Sequence, residues 1–436
     1  MEAALVTPFV CHLPLHPGLY LGYGAAVMKQ KCELDIIDLN AHVYFNSREG
    51  LDKIFCDVDK KQIIFDGFDF YPFYLSLLEK VEEEYRRIPW GDYSSVFITV
   101  PSWFVTIPTE NILKVSRVIQ RESPATAIYF FGNSLDTWTD KTMLAHNGVN
   151  IVSLNNLFNT NSGCEPIDYD SLPTPIFENR EKYIFDILPF RLKHGCSWGK
   201  CRFCSLAKGW NSGYLERSPR HVIRELEASM RTYNPKMLVC RDNAVNGGNL
   251  QEFCNRFDGF NTPWAGMARA DLNSADITAL QKSGCKSLYF GLESGSDRVL
   301  RSVNKGLTSK EISDFIKKIH DHGIMPAPSL FVGAPVESDD DFRKTVQFVI
   351  DHQPYFRIVN LHPLTMTPQS AFSLAGETPN TRTQERLLEL IGICSDVGLK
   401  VCVGEQSAEY ALYREAFPGP MSCSSPRNSA TAFPVS

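Results

Sequence analysis

The sequence predicts an α/β protein of two domains, a parallel-sheet unit followed by a partial barrel. Three observations carry this reading. Short apolar runs of strand length alternate with helix-period segments through residues 1–158. A stretch rich in Pro, Asp and Asn, with no sustained period, follows over 159–182. Six further strand-then-helix units then occupy 183–405. Strands separated by helical segments are joined by crossovers, so both sheets are expected to be parallel.

In the first domain the strands are "AALVTP" (3–8), "LDIIDLN" (34–40), "SVFITV" (95–100), "AIYFFG" (127–132) and "VNIVS" (149–153). Helical patterns at 19–30, 73–88 and 109–120 lie between them, which gives a Rossmann-like sheet. The segment 159–182 reads as a linker. The second domain offers "YIFDILPFR", "KMLVCRD", "WAGMARAD", "KSLYFGLES", "PSLFVGAP" and "RIVNLHPL" as strands. Its helix starts are marked by Ser218 before Pro219, by Ser274, and by Thr308 with Glu311 as a capping box. Six units fall short of the eight of a closed TIM-type barrel, so a partial (β/α)6 barrel, open on one side, is expected. Residues 406–436 read as an extension whose last part, "PGPMSCSSPRNSATAFPVS", has no periodicity and suits a mobile tail.

Composition narrows the function classes. The chain of 436 residues has 43% hydrophobic and 22% charged residues, ordinary globular values, and no apolar run near the roughly 18 residues of a membrane span. The opening "MEAALVTPFVCHLPLHPG" lacks a basic leader and meets Pro at positions 8, 14 and 17, which points to the cytoplasm rather than to export. With 44 basic and 50 acidic residues the formal charge is −6, which argues against a large nucleic-acid footprint and favours a small-molecule or peptide substrate. Of thirteen cysteines only three cluster. The others, including Cys394, Cys402 and Cys423, lack close partners, so no second cluster is expected, although one could serve as a hydrogen-atom donor.

The cluster is "GCSWGKCRFCSL", with Cys196, Cys201 and Cys204 in one loop directly after the first barrel strand. That places three soft thiolates at the C-terminal mouth, where barrel chemistry is built. A closed zinc site would need a fourth ligand, for which His194 is the candidate; a cluster-bearing electron carrier would need the same. Three thiolates on a 4Fe-4S cluster instead leave one iron with an open position, where a ligand can bind and react.

"CSWGKCRFC" after a strand, with "FGLES" and "FVGAPVES" downstream, resembles the radical S-adenosylmethionine (radical SAM) enzymes, and more closely those with a cobalamin-binding-like domain in front of the partial barrel. The likeness runs from "LVTPF" to about Val403. The chain departs from the commonest cysteine pattern in one respect: four residues, not three, separate the first two thiols. The resemblance implies a 4Fe-4S cluster held by Cys196, Cys201 and Cys204, whose open iron chelates SAM, and reductive cleavage of SAM to methionine and a 5'-deoxyadenosyl radical. It further implies roles for the polar strand ends. Phe203 would pack on adenine, and Asp242 and Asn243 would accept the SAM amino group. Arg269 would grip the SAM carboxylate by two parallel hydrogen bonds. Glu293, with Ser294 beside it, would meet the ribose hydroxyls or the amino group. Gly333 would let the backbone approach adenine, while Glu337 caps the turn. Packing and turn formation are the competing explanations for each of these residues.

The front domain resembles a cobalamin-binding fold but lacks the Asp, His and Gly signature that supplies a lower ligand; His42 in "DLNAHVY" has the wrong spacing and reads as a surface residue. Gly132, Asn133 and Ser134 follow a strand, where an open sheet binds its ligand, and are the candidates for corrin contacts. The expected reaction is modification of an unactivated carbon in a natural-product precursor. Cobalamin-dependent methyl transfer is favoured over a cobalamin-independent rearrangement, cyclisation or oxidation. An external electron donor of the flavodoxin or ferredoxin type is implied.

Overall fold

The computed structural model of the protein describes residues 2–7, 15–46, 63–65, 81–99, 109–131, 150–152, 168–204, 214–367, 370–403, 409, 411–413 and 415. The tail expected at 418–436 lies outside them.

The front sheet contains β1 (Glu2–Thr7), β2 (Glu33–Asp38), β4 (Ser95–Thr99), β5 (Ala127–Phe131) and β6 (Asn150–Val152), all parallel, in the order β2-β1-β4-β5-β6. Ala3 to Val6 of β1 are all buried, as expected where helices cover both faces of a parallel sheet. The order reverses between β1 and β4, and that crevice, at the carboxyl ends of the strands, is where sheets of this kind bind ligands.

The second sheet contains all six expected strands in sequence: β7 (Ile187–Phe190), β10 (Met237–Cys240), β11 (Trp264–Ala268), β12 (Cys285–Glu293), β13 (Met325–Val332) and β14 (Ile358–Pro363). Two more strands extend it beyond the expectation. β15 (Lys400–Val403) pairs with β14, and β3 (Ile63–Phe65), from the front half of the chain, pairs with β15. The boundary drawn at residue 158 is therefore crossed by one strand.

Other differences are local. The helix Ser274–Lys282 is capped by Asn273, which shares a capping box with Asp276, one residue before the expected start. The Thr308–Glu311 box is present as read, and Ser218 with Pro219 starts the helix Pro219–Tyr233. The stretch read as a linker is, over its described part, a packed strap: Tyr169, Leu172 and Phe177 are buried, and the Ile176 N–H donates to the Gly22 carbonyl at 3.0 Å.

The helix Leu19–Met28, "LYLGYGAAVM", has no charged residue and is buried nearly all round, as a helix wedged between two domains must be. Its Tyr23 hydroxyl joins a buried network. Arg217 donates to both Glu225 oxygens (3.1 and 2.9 Å), to Tyr23 (2.9 Å) and to Asp170 (2.8 Å), and Tyr23 donates to Glu225 at 2.8 Å. Front helix, strap and barrel thus meet at one ion pair.

Gly295 shows how closely the barrel helices approach the strand ends. A Cβ there would lie 2.7 Å from the Lys344 carbonyl oxygen and 2.8 Å from the Thr345 Cα, backbone atoms that cannot step aside. Gly295→Ala is expected to cost about 2–3 kcal/mol through overpacking, read as a lower denaturation midpoint; an unchanged midpoint would show that the helix Asp339–His352 can slide.

Candidate active site at the barrel mouth

The cysteine loop leaves the barrel after β7 and returns through a short antiparallel ladder, β8 (Lys193–His194) on β9 (Leu215–Glu216), which clamps its base. Asp242, at the end of β10, sets the departure: its carboxylate accepts from the N–H groups of Leu192 (3.1 Å) and Lys193 (3.2 Å). Burial pushes its pKa up, against the pull of Lys193 and Arg191. Lys193 in turn donates to the carbonyls of Val245 (2.8 Å) and Asn246 (2.7 Å). Asp242 is thus engaged with its own chain, and Asn243 beside it is half-buried.

The far side of the loop is stapled to residues 302–304. Trp198 Nε1 donates to the Asn304 carbonyl (3.0 Å), Asn304 Nδ2 to the Lys200 carbonyl (2.9 Å), and the Arg202 N–H to the Val303 carbonyl (2.9 Å). Phe203 meets Phe331 of β13 edge-on, with centroids 5.2 Å apart, in an apolar group that includes Val303, Leu364 and Phe372. Between these anchors Cys196, Cys201 and Cys204 are half-buried.

Charged groups act on Cys201. Glu293 ends β12 at φ 66°, a left-handed conformation costly for a non-glycine residue, where the register against β13 shifts. Its carboxylate is buried and accepts from Lys305 Nζ at 2.7 Å. Arg269, 6% exposed, follows β11; its Nε donates to Asp271 at 2.6 Å, and its guanidinium lies over the Trp198 ring, 4.4 Å from the centroid. Asn246 fixes the Arg269 backbone from both sides, accepting from its N–H (2.8 Å) and donating to its carbonyl (3.0 Å). Burial pushes the Cys201 thiol up to about 11; Lys305 and Arg269 pull it down, and Glu293 and Cys196 oppose them.

The remaining sequence candidates fall into two groups. Ser294 exchanges a hydrogen bond with Thr345 (2.8 Å) and accepts from the Ser296 N–H (3.1 Å), so its hydroxyl serves the strand-to-helix turn. Gly333 (φ 96°) donates its N–H to Glu337 (2.9 Å), which caps the turn as read and pairs with buried Arg386 (2.9 Å); a side chain at 333 would collide with Thr383. Gly132, Asn133 and Ser134 lie outside the described residues. His42, read as a surface residue, is half-buried and 3.1 Å from Glu84.

Sequence reasoning missed several residues. Lys305 and Asn246 lie in turns, with no local signal of what they pair with. Trp198 was visible inside the cysteine loop. A fourth group lines the barrel interior: Tyr289, Ser329, Asn360 and His362 sit at alternate positions of β12, β13 and β14. Asn360 donates to Tyr289 (2.7 Å) and Ser329 (3.3 Å), and Ser329 meets His362 (3.3 Å). The apolar floor beneath them, with Ile187, Val239, Ala265, Ala327 and Ile358, shows that this face is the lumen.

The donor set suits an iron–sulfur cluster, in which each thiolate takes a separate iron. Among the described residues no three His, Cys, Asp or Glu side chains converge on a single ion, and His194 is buried with its Nδ1 unbonded.

The second sheet thus carries three thiols at its mouth, behind a parallel-sheet domain. Residues 267–349 match the Radical SAM superfamily model, so the chain carries a radical SAM domain. Among sequence relatives, an uncharacterized methyltransferase of Pyrococcus horikoshii is 27% identical over 189 residues, 41% of each chain. A protein of Methanocaldococcus jannaschii named as a methylthiotransferase is 27% identical over 172 residues, 36% of this chain and 37% of its own. The matched stretch thus spans about two fifths of these relatives' lengths. The fold is shared with the radical SAM methyltransferase TsrM of Kitasatospora setae, solved with tryptophan and a SAM analogue (TM-score 0.58, 14% identity, covering 83% of this chain and 72% of that one). Another TsrM structure contains cobalamin and a 4Fe-4S cluster (TM-score 0.56, 12% identity, covering 86% and 77%). No helix among the described residues is long and apolar enough to cross a membrane.

Proposed function

We propose that this chain is a radical SAM enzyme that methylates an unactivated carbon of a small-molecule or peptide natural-product precursor, with cobalamin bound at the front sheet. The observation that carries the reading is the set of three half-buried thiols at the barrel mouth, with Arg269, Glu293 and Lys305 acting on Cys201 among them. When bound, the cluster and SAM supply a 5'-deoxyadenosyl radical or a methyl group, after one electron from a flavodoxin- or ferredoxin-like donor.

The chain's own residues bind and orient. Cys196, Cys201 and Cys204 hold the cluster. Arg269 takes the SAM carboxylate: its Nε is committed to Asp271, and its two terminal nitrogens donate no hydrogen bond among the described residues. Glu293 and Asn243 accept the amino group or ribose hydroxyls, while Asp242 holds the loop that carries the cysteines. Lys305 offsets the charge of Glu293 and of the thiolates. Phe203 and the backbone at Gly333 flank adenine. The lumen group of Tyr289, Ser329, Asn360 and His362 faces the substrate and offers hydrogen-bonding groups to the polar atoms around the carbon that is methylated. Gly132, Asn133 and Ser134 contact the corrin.

The test is anaerobic reconstitution with iron and sulfide, then addition of reductant, SAM and cobalamin. Formation of 5'-deoxyadenosine or S-adenosylhomocysteine, with a corrinoid spectrum retained through gel filtration, is expected. Turnover of SAM with no corrinoid retained moves the chain to a cobalamin-independent rearrangement, cyclisation or oxidation; zinc in place of iron, with no SAM turnover, contradicts the enzyme reading.

A further inference from the structure

Four residues, rather than three, separate Cys196 from Cys201, and the structure shows what the longer spacer contains. Trp198 turns its indole out of the cysteine loop into a slot fixed on three sides. Its Nε1–H donates to the Asn304 carbonyl at 3.0 Å. Its benzo edge abuts Gly306 (φ 67°), where a Cβ would lie 2.3 Å from the ring, so the slot requires glycine. One face carries the Arg269 guanidinium at 4.4 Å, and the Lys200 ammonium lies 5.2 Å from the centroid. Gly199 (φ 56°) then turns the chain back toward Cys201.

The indole therefore touches two elements whose charges act on Cys201: the end of β11, which carries Arg269, and the turn 304–306, which carries Lys305. Arg269 is held by Asp271 at Nε and by Asn246 at its backbone, and the Trp198 ring closes off one face of its guanidinium. A guanidinium that grips a carboxylate through two parallel bonds must present its fork at a fixed angle.

We infer that Trp198 is a positioning residue for SAM, acting through Arg269, and that the extra residue between the first two cysteines is there to place it. This rests on the proposed reading of Arg269 as the carboxylate grip.

The test uses the full chain, iron-loaded under anaerobic conditions, with iron and sulfide content and SAM affinity as separate readouts. Trp198→Ala is expected to keep its iron and to bind SAM about tenfold more weakly, the effect of losing a cation–π contact whose cation is buried. Trp198→Phe keeps a face but loses the N–H, and should fall between, at about threefold. In an Arg269→Ala background the Trp198→Ala penalty should disappear, because the indole then has nothing to position. Three results overturn the inference: SAM affinity unchanged in Trp198→Ala, the same penalty in both backgrounds, or iron lost from both Trp198 variants, which would make the indole a loop-folding residue. A wild-type chain that loads iron yet binds no SAM refutes the SAM reading itself, and the inference falls with it.

Discussion

Cys201→Ala is expected to release most of the iron and to lower 5'-deoxyadenosine formation at least about a hundredfold. Changes to residues that only support a metal ligand already cost 10- to 100-fold in affinity or activity, and Cys201 is proposed as a ligand itself. Lys305, Arg269 and Glu293 also act on this thiol. Half-buried, with its pKa raised to about 11 by desolvation, the thiol is protonated at neutral pH until a metal displaces the proton. The variant should remain folded, since the loop is also anchored through Trp198, Asn304, Arg202 and Phe203. Iron and sulfide assay with chromatography of the nucleoside product reads both effects; wild-type iron content in Cys201→Ala would remove it from the ligand set.

Glu225→Ala should produce the largest loss of stability away from the cysteines, about 3 kcal/mol or more. Arg217 and Glu225 are 3% and 4% exposed, and removing one partner leaves an uncompensated buried charge, the costly way to break such a pair. Because Tyr23 of the front domain donates to the same carboxylate, the loss should loosen the contact between the domains as well as the barrel helix. Thermal unfolding should show a midpoint lower by about 5 °C or more. Limited proteolysis should open first in the strap around residues 168–182. A midpoint within 1 °C of wild type, by the same size relation, would mean that Asp170 and solvent replace the carboxylate.

The framework of the barrel was legible because its signals are local. Six apolar strands, a Pro-led helix start and the Thr308–Glu311 box each lie within a few residues of chain, and all are present. The position of the three thiols followed from the strand before them. Pairings set by distant contacts were not legible. Nothing in "IIF" tells that Ile63–Phe65 adds to the barrel edge beside Val401–Val403. Nor does the chain reveal that Lys305 returns across a short helix to Glu293. At strand ends the side-chain direction reverses with each residue, so a polar pair there reads ambiguously. Asp242 turned out to hold the backbone of Leu192 and Lys193, and Ser294 to hold Thr345. The front domain's candidate residues, Gly132 to Ser134, lie outside the described residues.

Electron paramagnetic resonance of the dithionite-reduced, iron-loaded chain, recorded with and without SAM, tests the central claim most directly. A 4Fe-4S signal whose g-values shift when SAM is added is the predicted result, because only an iron left open by three cysteines can take a new ligand. A signal indifferent to SAM, or a chain that retains no iron at all, would contradict it.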